Sequence, residues 1–205
     1  DPRAAETRDR RTRLAEVMEQ AVRFFGLSLR SGAGRGAADY IAGRGLSDET
    51  VARFELGFAP DARDRLSRHF AEKGVLEEAV AAGLVIRPEE GGQPYDRFRN
   101  RLMFPIRDQR GRCIAFGGRA LSPDALAKYL NSPETEIFHK GRTLYNHGPA
   151  REAAGKAGTV IVAEGYVDVI ALAQGGFDHA VAPLGTAITE EQLGLLWRMA
   201  DEPVI

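Results

Sequence analysis

Residues 159–182 read TVIVAEGYVDVIALAQGGFDHAVA, and this stretch decides the fold of the second half of the chain. The β-branched run 159–163 predicts a buried strand, the pattern over 166–174 predicts a helix, and 179–182 predicts a second strand. Gly165 offers a sharp entry into the helix. Downstream, 189–200 has helical spacing, and a third strand begins at Pro203, Val204 and Ile205. Strand, helix, strand, helix, strand is the opening of a parallel α/β sheet with helical crossovers.

Upstream the pattern is different. Pro149 fits the start of a helix. Residues 101–106 and 113–116 are strand-like and are joined through Asp108, Gln109, Arg110 and Gly111, which predicts a hairpin connection. Residues 128–131 predict another strand, stopped by Ser132 and Pro133. The first ninety or so residues predict mostly short helices. Leu14, Val17, Met18, Ala21, Val22 and Phe25 recur at helical spacing, with Gly26 as the expected stop, and the Gly-rich 31–36 reads as a loop. Asp39, Tyr40 and Ile41 fit a short helix ended by Gly43 and Gly45. Ser47 is a suitable N-cap for 48–54, and 62–73 and 76–82 complete the helical series. The expected architecture is an α+β part over 1–148 followed by the first part of a parallel, Rossmann-like α/β sheet over 149–205.

A length of 205 residues fits one domain and part of a second. The net charge is only -1, from 28 Lys and Arg against 29 Asp and Glu, but the charges are segregated: 95–145 carries +5 and 152–205 carries -6. A basic segment followed by an acidic one points to a surface that attracts a polyanion beside a site that holds cations. With 43% apolar and 28% charged residues, the chain is not a disordered one. No apolar run approaches a membrane span and the N-terminus is charged, so the expectation is a cytosolic protein. Cys113 has no second cysteine to pair with, and His69, His139, His147 and His179 are scattered, which argues against a transition-metal site made from this chain alone.

Three constellations could carry chemistry. Glu164 ends the strand 159–163, and ligands of open parallel sheets bind outside the carboxyl ends of the strands. Asp168, four residues on, falls in the first helical turn, where the helix dipole favours a carboxylate. Together they suit a hard divalent cation, although the same residues also fit a solvated strand end and a plain first-turn charge. The second is the basic series Arg97, Arg99, Arg101, Arg107, Arg110, Arg112, Arg119, Lys128, Lys140 and Arg142. Arg97, Arg99 and Arg101 alternate, so in an extended chain they share one face. With Tyr129 as a stacking ring, such a surface fits single-stranded nucleic acid, and a solvated strand face is the simpler alternative for any one arginine. The third is KYLNSPET (128–135) followed by Phe138, His139, Lys140 and Gly141. Its Lys, Asn, Ser and Thr donors can orient a phosphate or nucleotide. The Gly-rich 32–36 is rejected as a phosphate loop because no strand precedes it and no Lys-Ser/Thr follows.

Taken together, RFRNRLMFPIRD (97–108), GRCIAFGGRAL (111–121), KYLNSPET (128–135), IFHKGRTLYN (137–146), VAEGYVDVIAL (162–172) and PLGTAIT (183–189) resemble bacterial DNA primase, from about Leu14 to the end. The resemblance implies an α+β subdomain joined to a Toprim subdomain, the metal-binding module shared with topoisomerases. It implies Glu164 as catalytic acid/base and metal ligand, with Asp168 as its acidic companion. Arg119, Lys128 and Lys140 become residues for template and nucleotide, with Arg44, Arg99, Arg101, Tyr129 and Asn131 as further contributors. Gly185 and Thr186 fall in the second Toprim loop.

The activity implied is primer synthesis from ribonucleoside triphosphates on a single-stranded DNA template, with two Mg²⁺ or Mn²⁺ ions. Zinc is implied in a preceding domain, and a replicative helicase is implied as a partner through a following one. The family's Asp-x-Asp motif comes after the third Toprim strand, so the expectation is that this stretch binds single-stranded DNA without making primers, at a bacterial replisome and with no membrane. A topoisomerase, an OLD-family nuclease or a recombination mediator would share the Glu164 motif but not KYLNSPET. A small-molecule α/β enzyme would not need the +5 segment.

Overall fold

The six apolar residues from Leu14 to Phe25 are all buried in one long helix, α1 (Pro2–Arg30). A computed structural model of the chain describes residues 2–185 and 187–204; Thr186 and Ile205 lie outside the described residues. After α1 come α2 (Arg35–Gly43), α3 (Asp48–Arg53), β1 (Gly57–Ala59), α4 (Arg65–Glu72), α5 (Leu76–Ala81), β2 (Val85–Ile86), β3 (Tyr95–Asp96), β4 (Arg101–Arg107), β5 (Cys113–Ala120) and β6 (Tyr129–Asn131). The chain continues through β7 (Leu144–Tyr145), α6 (His147–Ala157), β8 (Val160–Val162), α7 (Tyr166–Gln174), β9 (Ala180–Pro183), α8 (Glu190–Trp197) and β10 (Pro203–Val204). Among the described residues, no helix is long and apolar enough to cross a membrane.

Two compact units result. The first holds residues up to Gly45, Glu55–Pro105 and Cys113–Phe138; the second holds Leu46–Phe54, Ile106–Arg112 and the residues from His139 onward. In the first unit the sheet order is β1-β4-β5-β6, with β1 antiparallel to β4 and β5 antiparallel to β6. The apolar face of α1 packs on this sheet through Phe25, whose ring meets that of Phe116 edge-on at 5.2 Å. A bare backbone at Gly57 in β1 lets the helix come this close, because a Cβ there would lie 2.5 Å from Phe25 Cβ. Asp96, buried in β3, accepts hydrogen bonds at 2.8 Å from the backbone N–H groups of both Leu66 and Ser67, and so caps α4 from thirty residues away.

The structure departs from the sequence-based expectation at three places in this unit. Gly26 does not stop α1: Leu29 is buried, and this apolar contact carries the helix through the glycine to Arg30. The segment 31–36 is not an open loop but a single 3₁₀ turn (Gly32–Gly34) leading directly into α2. Arg97, Arg99 and Arg101 do not share a strand face, since only Arg101 is in β4 and Asn100, at φ 49°, turns the chain between it and Arg99.

The second unit has the sheet order β10-β8-β9-β7, in which β8 pairs in parallel with β9 and β10, and β7 runs antiparallel to β9. The predicted strand-helix-strand-helix-strand series is present, with α7 occupying 166–174 as expected. Its core is built from Leu144, Ala150, Ala154, Val160, Val181 and Leu196. At the start of α6, His147 is buried, and burial together with the nearby Arg151 and Arg198 lowers its pKa below the ordinary imidazole value.

Two outcomes follow from this packing. Gly57→Ala should destabilise the chain by about 1–3 kcal/mol, because Phe25 must move. Gly36→Ala, in a helix with open space around the new methyl, should be neutral or raise stability by up to about 1 kcal/mol; urea midpoints compare the two. Separately, the neutral His147 favours folding above the unfolded imidazole pKa of about 6.5, and this contribution is lost as pH falls through the lowered folded value. Urea titrations between pH 5 and 7.5 should therefore show stability rising with pH, with a smaller slope in His147→Asn. Some slope remains from His69, also lowered, chiefly by burial and then by Lys73.

Candidate active site and nucleic-acid interface

In the second unit, parallel pairing puts the carboxyl ends of β8 and β9 side by side. Ile161 and Val162 are in register with Ala180 and Val181, and Ala163 N–H donates to Val181 O at 2.8 Å. Glu164 leaves the end of β8 exposed, and Asp168 lies exposed in the first turn of α7. Gly165 between them has an extended φ of -149°, which any residue can adopt, so the turn does not itself require glycine. What glycine leaves there is space, since a Cβ would sit 3.5 Å from Asp168 Oδ2.

Lys140 approaches the end of the neighbouring strand. Its Nζ lies 3.5 Å and its Cε 3.2 Å from where a Cβ on Gly185 would be, so the lysine stem occupies the room that a side chain at 185 would take. The first turn of α8 holds the segment carrying this lysine. Thr189 caps α8 by accepting from Gln192 N–H at 3.1 Å, while Gln192 Oε1 accepts from Thr189 N–H at 3.0 Å, a reciprocal capping box. The spare donors turn outward. Thr189 Oγ1 donates to Gly141 O at 2.6 Å, and the buried Gln192 Nε2 donates to Lys140 O at 3.2 Å and Thr143 O at 2.9 Å. Arg142 Nε also donates to Glu191 Oε1 at 2.8 Å. Sequence reasoning picked out Lys140 and Gly185 but missed Gln192, whose place three residues after Thr189 is the one signal of a cap.

The donor set here is oxygen only. Glu164 and Asp168 fit a hard divalent cation that takes one or two protein carboxylates and completes its shell with water or phosphate oxygens. Among the described residues, no three His, Cys, Asp or Glu side chains come together as a metal cluster. Cys113 is buried in β5, with its Sγ directed to Ala115 O at 3.4 Å, and does not contribute a thiolate.

The first unit carries the other candidates. Arg119 in β5 and Tyr129 in β6 are register partners, so they project from the same face of the sheet, and Lys128 and Tyr129 are both exposed. Lys128 Nζ lies 6.0 Å from the Tyr129 ring centroid. Asn131 is two residues further along the same edge strand and half-buried. Arg99 is exposed, with its guanidinium 5.8 Å from the ring of Tyr95. Arg44 and Arg119 stand over one ring, that of Tyr40, at 5.2 and 4.1 Å.

Arg97 and Arg101 are differently engaged. Arg97 donates through Nε and Nη2 to Asn131 O at 3.2 and 2.9 Å. Arg101 donates to Gly118 O at 3.1 Å, Lys128 O at 3.4 Å and Ala127 O at 3.0 Å. Its stem passes where a Cβ on Gly118 would be, on the side of β5 opposite to Arg119. These guanidiniums brace main-chain carbonyls.

An α+β unit that displays Arg44, Arg99, Arg119 and Lys128 and a sheet with an acidic carboxyl edge define a class, proteins that join a Toprim module to a separate core. The family model described as "DNA primase catalytic core, N-terminal domain" matches residues 24–151, and the one described as "Toprim domain" matches 158–205. The chain belongs to the DNA primase family. It is 49% identical over 206 residues to the DNA primase of Pseudomonas putida, covering 97% of this chain and 31% of that one. With the DNA primase of Deinococcus radiodurans it shares 51% over 170 residues, covering 82% and 30%. It thus spans about a third of the length of these curated relatives.

Among solved structures, a DNA primase domain from Pseudomonas aeruginosa superposes with a TM-score of 0.87 at 46% identity, covering 93% of this chain and 60% of that one. A DnaG primase catalytic domain described as bound to single-stranded DNA gives 0.87 at 43% identity, covering 95% and 61%. The Aquifex aeolicus primase, described as its zinc binding and RNA polymerase domains, gives 0.87 at 33%, covering 95% and 47%. The match over 24–151 is to a DNA primase domain, which favours that family over the topoisomerase, nuclease and mediator alternatives. The Toprim primase family implies a divalent-metal requirement in general terms.

The clamp on Lys140 can be tested. Gln192→Ala removes one half of the capping box and leaves two carbonyls without their donor. It should cost about 1–3 kcal/mol in thermal stability and speed amide exchange across residues 140–143. Unchanged exchange in that segment would mean that Gln192 does not hold it.

Proposed function

We propose that this chain supplies part of the polymerase core of a DNA primase, which joins ribonucleotides into short RNA primers on single-stranded DNA. The match of residues 24–151 to the primase-specific domain carries this reading, because other Toprim proteins have no use for it. The division proposed is an α+β part over 1–148 and a Toprim part over 149–205; the Toprim match over 158–205 lies within the second, while the other match runs past 148 to 151.

In this reading each unit has its own task. Glu164 and Asp168 hold divalent cations, Mg²⁺ or Mn²⁺, which when bound activate the attacking 3′-hydroxyl and neutralise the leaving pyrophosphate. Glu164 also accepts the proton of the attacking hydroxyl. Lys140, held by α8, offsets charge on the triphosphate of the incoming nucleotide. Arg44, Arg99, Arg119 and Lys128 contact template phosphates, Tyr129 stacks on a base, and Asn131 offers hydrogen bonds to a sugar or base. Arg101 contributes by fixing the carbonyls of Ala127 and Lys128, and through them the strand that carries Lys128 and Tyr129. The structure of a relative bound to single-stranded DNA supports the choice of template. Zinc in a preceding domain and a helicase contact through a following one complete the proposal. The zinc binding domain in the Aquifex aeolicus structure supports the first of these.

Two measurements test the proposal. If about four basic side chains meet phosphates, log affinity for single-stranded DNA should fall with log salt at a slope near -3, a loss of roughly fifty-fold between 50 and 200 mM salt. Lys128→Ala should then flatten the slope by about 0.7. A flat salt response in the parent chain would sink the template reading. For the chemistry, Glu164→Gln in a polypeptide of the relatives' full length should lower primer synthesis by at least about a hundredfold while leaving DNA affinity unchanged. Retained synthesis would remove Glu164 from the reaction.

A further inference from the structure

Tyr40 was read from sequence only as part of a short helix, yet it is where two distant cations meet. Arg44 and Arg119, 75 positions apart, both lie within cation–π distance of its ring, at 5.2 and 4.1 Å from the centroid. Among the described residues, neither arginine forms an ion pair with a carboxylate. Arg119 Nη1 donates to Ala120 O at 3.0 Å, whereas its Nε and the Tyr40 hydroxyl are both buried and accept or donate no hydrogen bond among the described residues. Two guanidiniums gathered at one ring repel each other. The negative face of the ring opposes that repulsion, and an anion bound by both would remove it.

The ring also restricts the two side chains. An exposed arginine loses much rotamer entropy when it fixes on a phosphate. A guanidinium already lying on an aromatic surface has given up part of that freedom beforehand, and its planar fork is oriented before the phosphate arrives. Arg44 closes α2 and its N–H donates to Tyr40 O at 3.1 Å, so the backbone fixes residue 44 relative to the ring. Arg119 comes from β5, so the Tyr40 ring is shared by an arginine at the end of a helix and an arginine of the sheet.

We propose that Tyr40 is a positioning residue for single-strand binding: its ring holds Arg44 and Arg119 together as one receptor for backbone phosphate. The proposal rests on the reading that both arginines contact template phosphates, and the test separates the two claims. A fluorescein-labelled deoxythymidine oligonucleotide is titrated with the 205-residue chain across a salt series, with thermal melts to establish folding. Arg44→Ala and Arg119→Ala should each weaken binding and flatten the salt slope by about 0.7. Tyr40→Leu keeps both charges, yet should weaken binding about three- to tenfold and flatten the slope. Tyr40→Phe, the conservative rescue, should restore affinity and slope.

A folded Tyr40→Leu chain with parental affinity and slope, alongside losses in the arginine variants, overturns the role of Tyr40 and leaves the template reading intact. Parental binding in both arginine variants overturns both claims. A Tyr40→Phe loss as large as that of Tyr40→Leu also overturns the role assigned to the ring, because the hydroxyl would then be responsible. If Tyr40→Leu does not fold, Arg119→Lys decides, since it keeps the charge but lacks the planar group that lies on the ring. A loss comparable to that of Arg119→Ala supports the proposal, and parental binding overturns it.

Discussion

The hydrogen bond from Ala163 N–H to Val181 O continues a parallel ladder, and the placing of the candidate carboxylate Glu164 depends on that ladder. Parallel strands end on the same side, so whatever follows β8 and whatever follows β9 are forced to be neighbours. Glu164 and Gly185 therefore flank one edge, although 21 positions separate them in the chain. An antiparallel arrangement would send them to opposite ends of the sheet. The strands are short, three and four residues, and their side chains at Val160 and Val181 are fully buried. In β8 Val160 is buried while Ile161 and Val162 are half-buried, so a one-residue slip would exchange a buried position for a partly exposed one. An acidic strand end is thereby held, among the described residues, without a hydrogen bond or ion pair to its carboxylate.

The basic unit works by a different division of labour. Its arginines fall into two populations that the sequence does not distinguish. Arg97 and Arg101 face carbonyl oxygens of the chain itself and are partly desolvated there, while Arg99, Arg44 and Arg119 lie on aromatic rings. The first population gives the edge strand its shape and the second gives the surface its field. A count of positive charge over residues 95–145 adds the two together and so overstates how many cations are available to a ligand.

Much of this was legible beforehand, for identifiable reasons. The helix over 166–174 was found residue for residue because a strand, a glycine and an apolar run frame it on both sides. Ser47 was found as a cap, and its side chain does accept from Thr50 N–H. The face of α1 was legible from its period, but its end was not, because burial of Leu29 lies outside what a glycine signal reports. β1, β2, β3 and β7 went unpredicted; at two or three residues each, they are too short for alternation to appear. Glu164, Asp168 and Lys140 could be named as candidates, whereas the ring contacts of Tyr40 and the hydrogen bonds of Gln192 could not. Their roles exist only through contacts with residues 119 and 140, far along the chain.

One further consequence lies in the carbonyl contacts of Arg97 and Arg101. β6 is the outer strand of its sheet, and an outer strand with open carbonyls is an invitation for another polypeptide to pair with it and start an aggregate. Here the oxygen of Asn131 is taken by Arg97, that of Ala127, just before the strand, is taken by Arg101, Lys128 O pairs inward with Ala120 N–H, and Pro133 follows close behind. The strand that displays Tyr129 is thus poorly adhesive towards protein backbone. By occupying Asn131 O, Arg97 removes one carbonyl to which another polypeptide could pair.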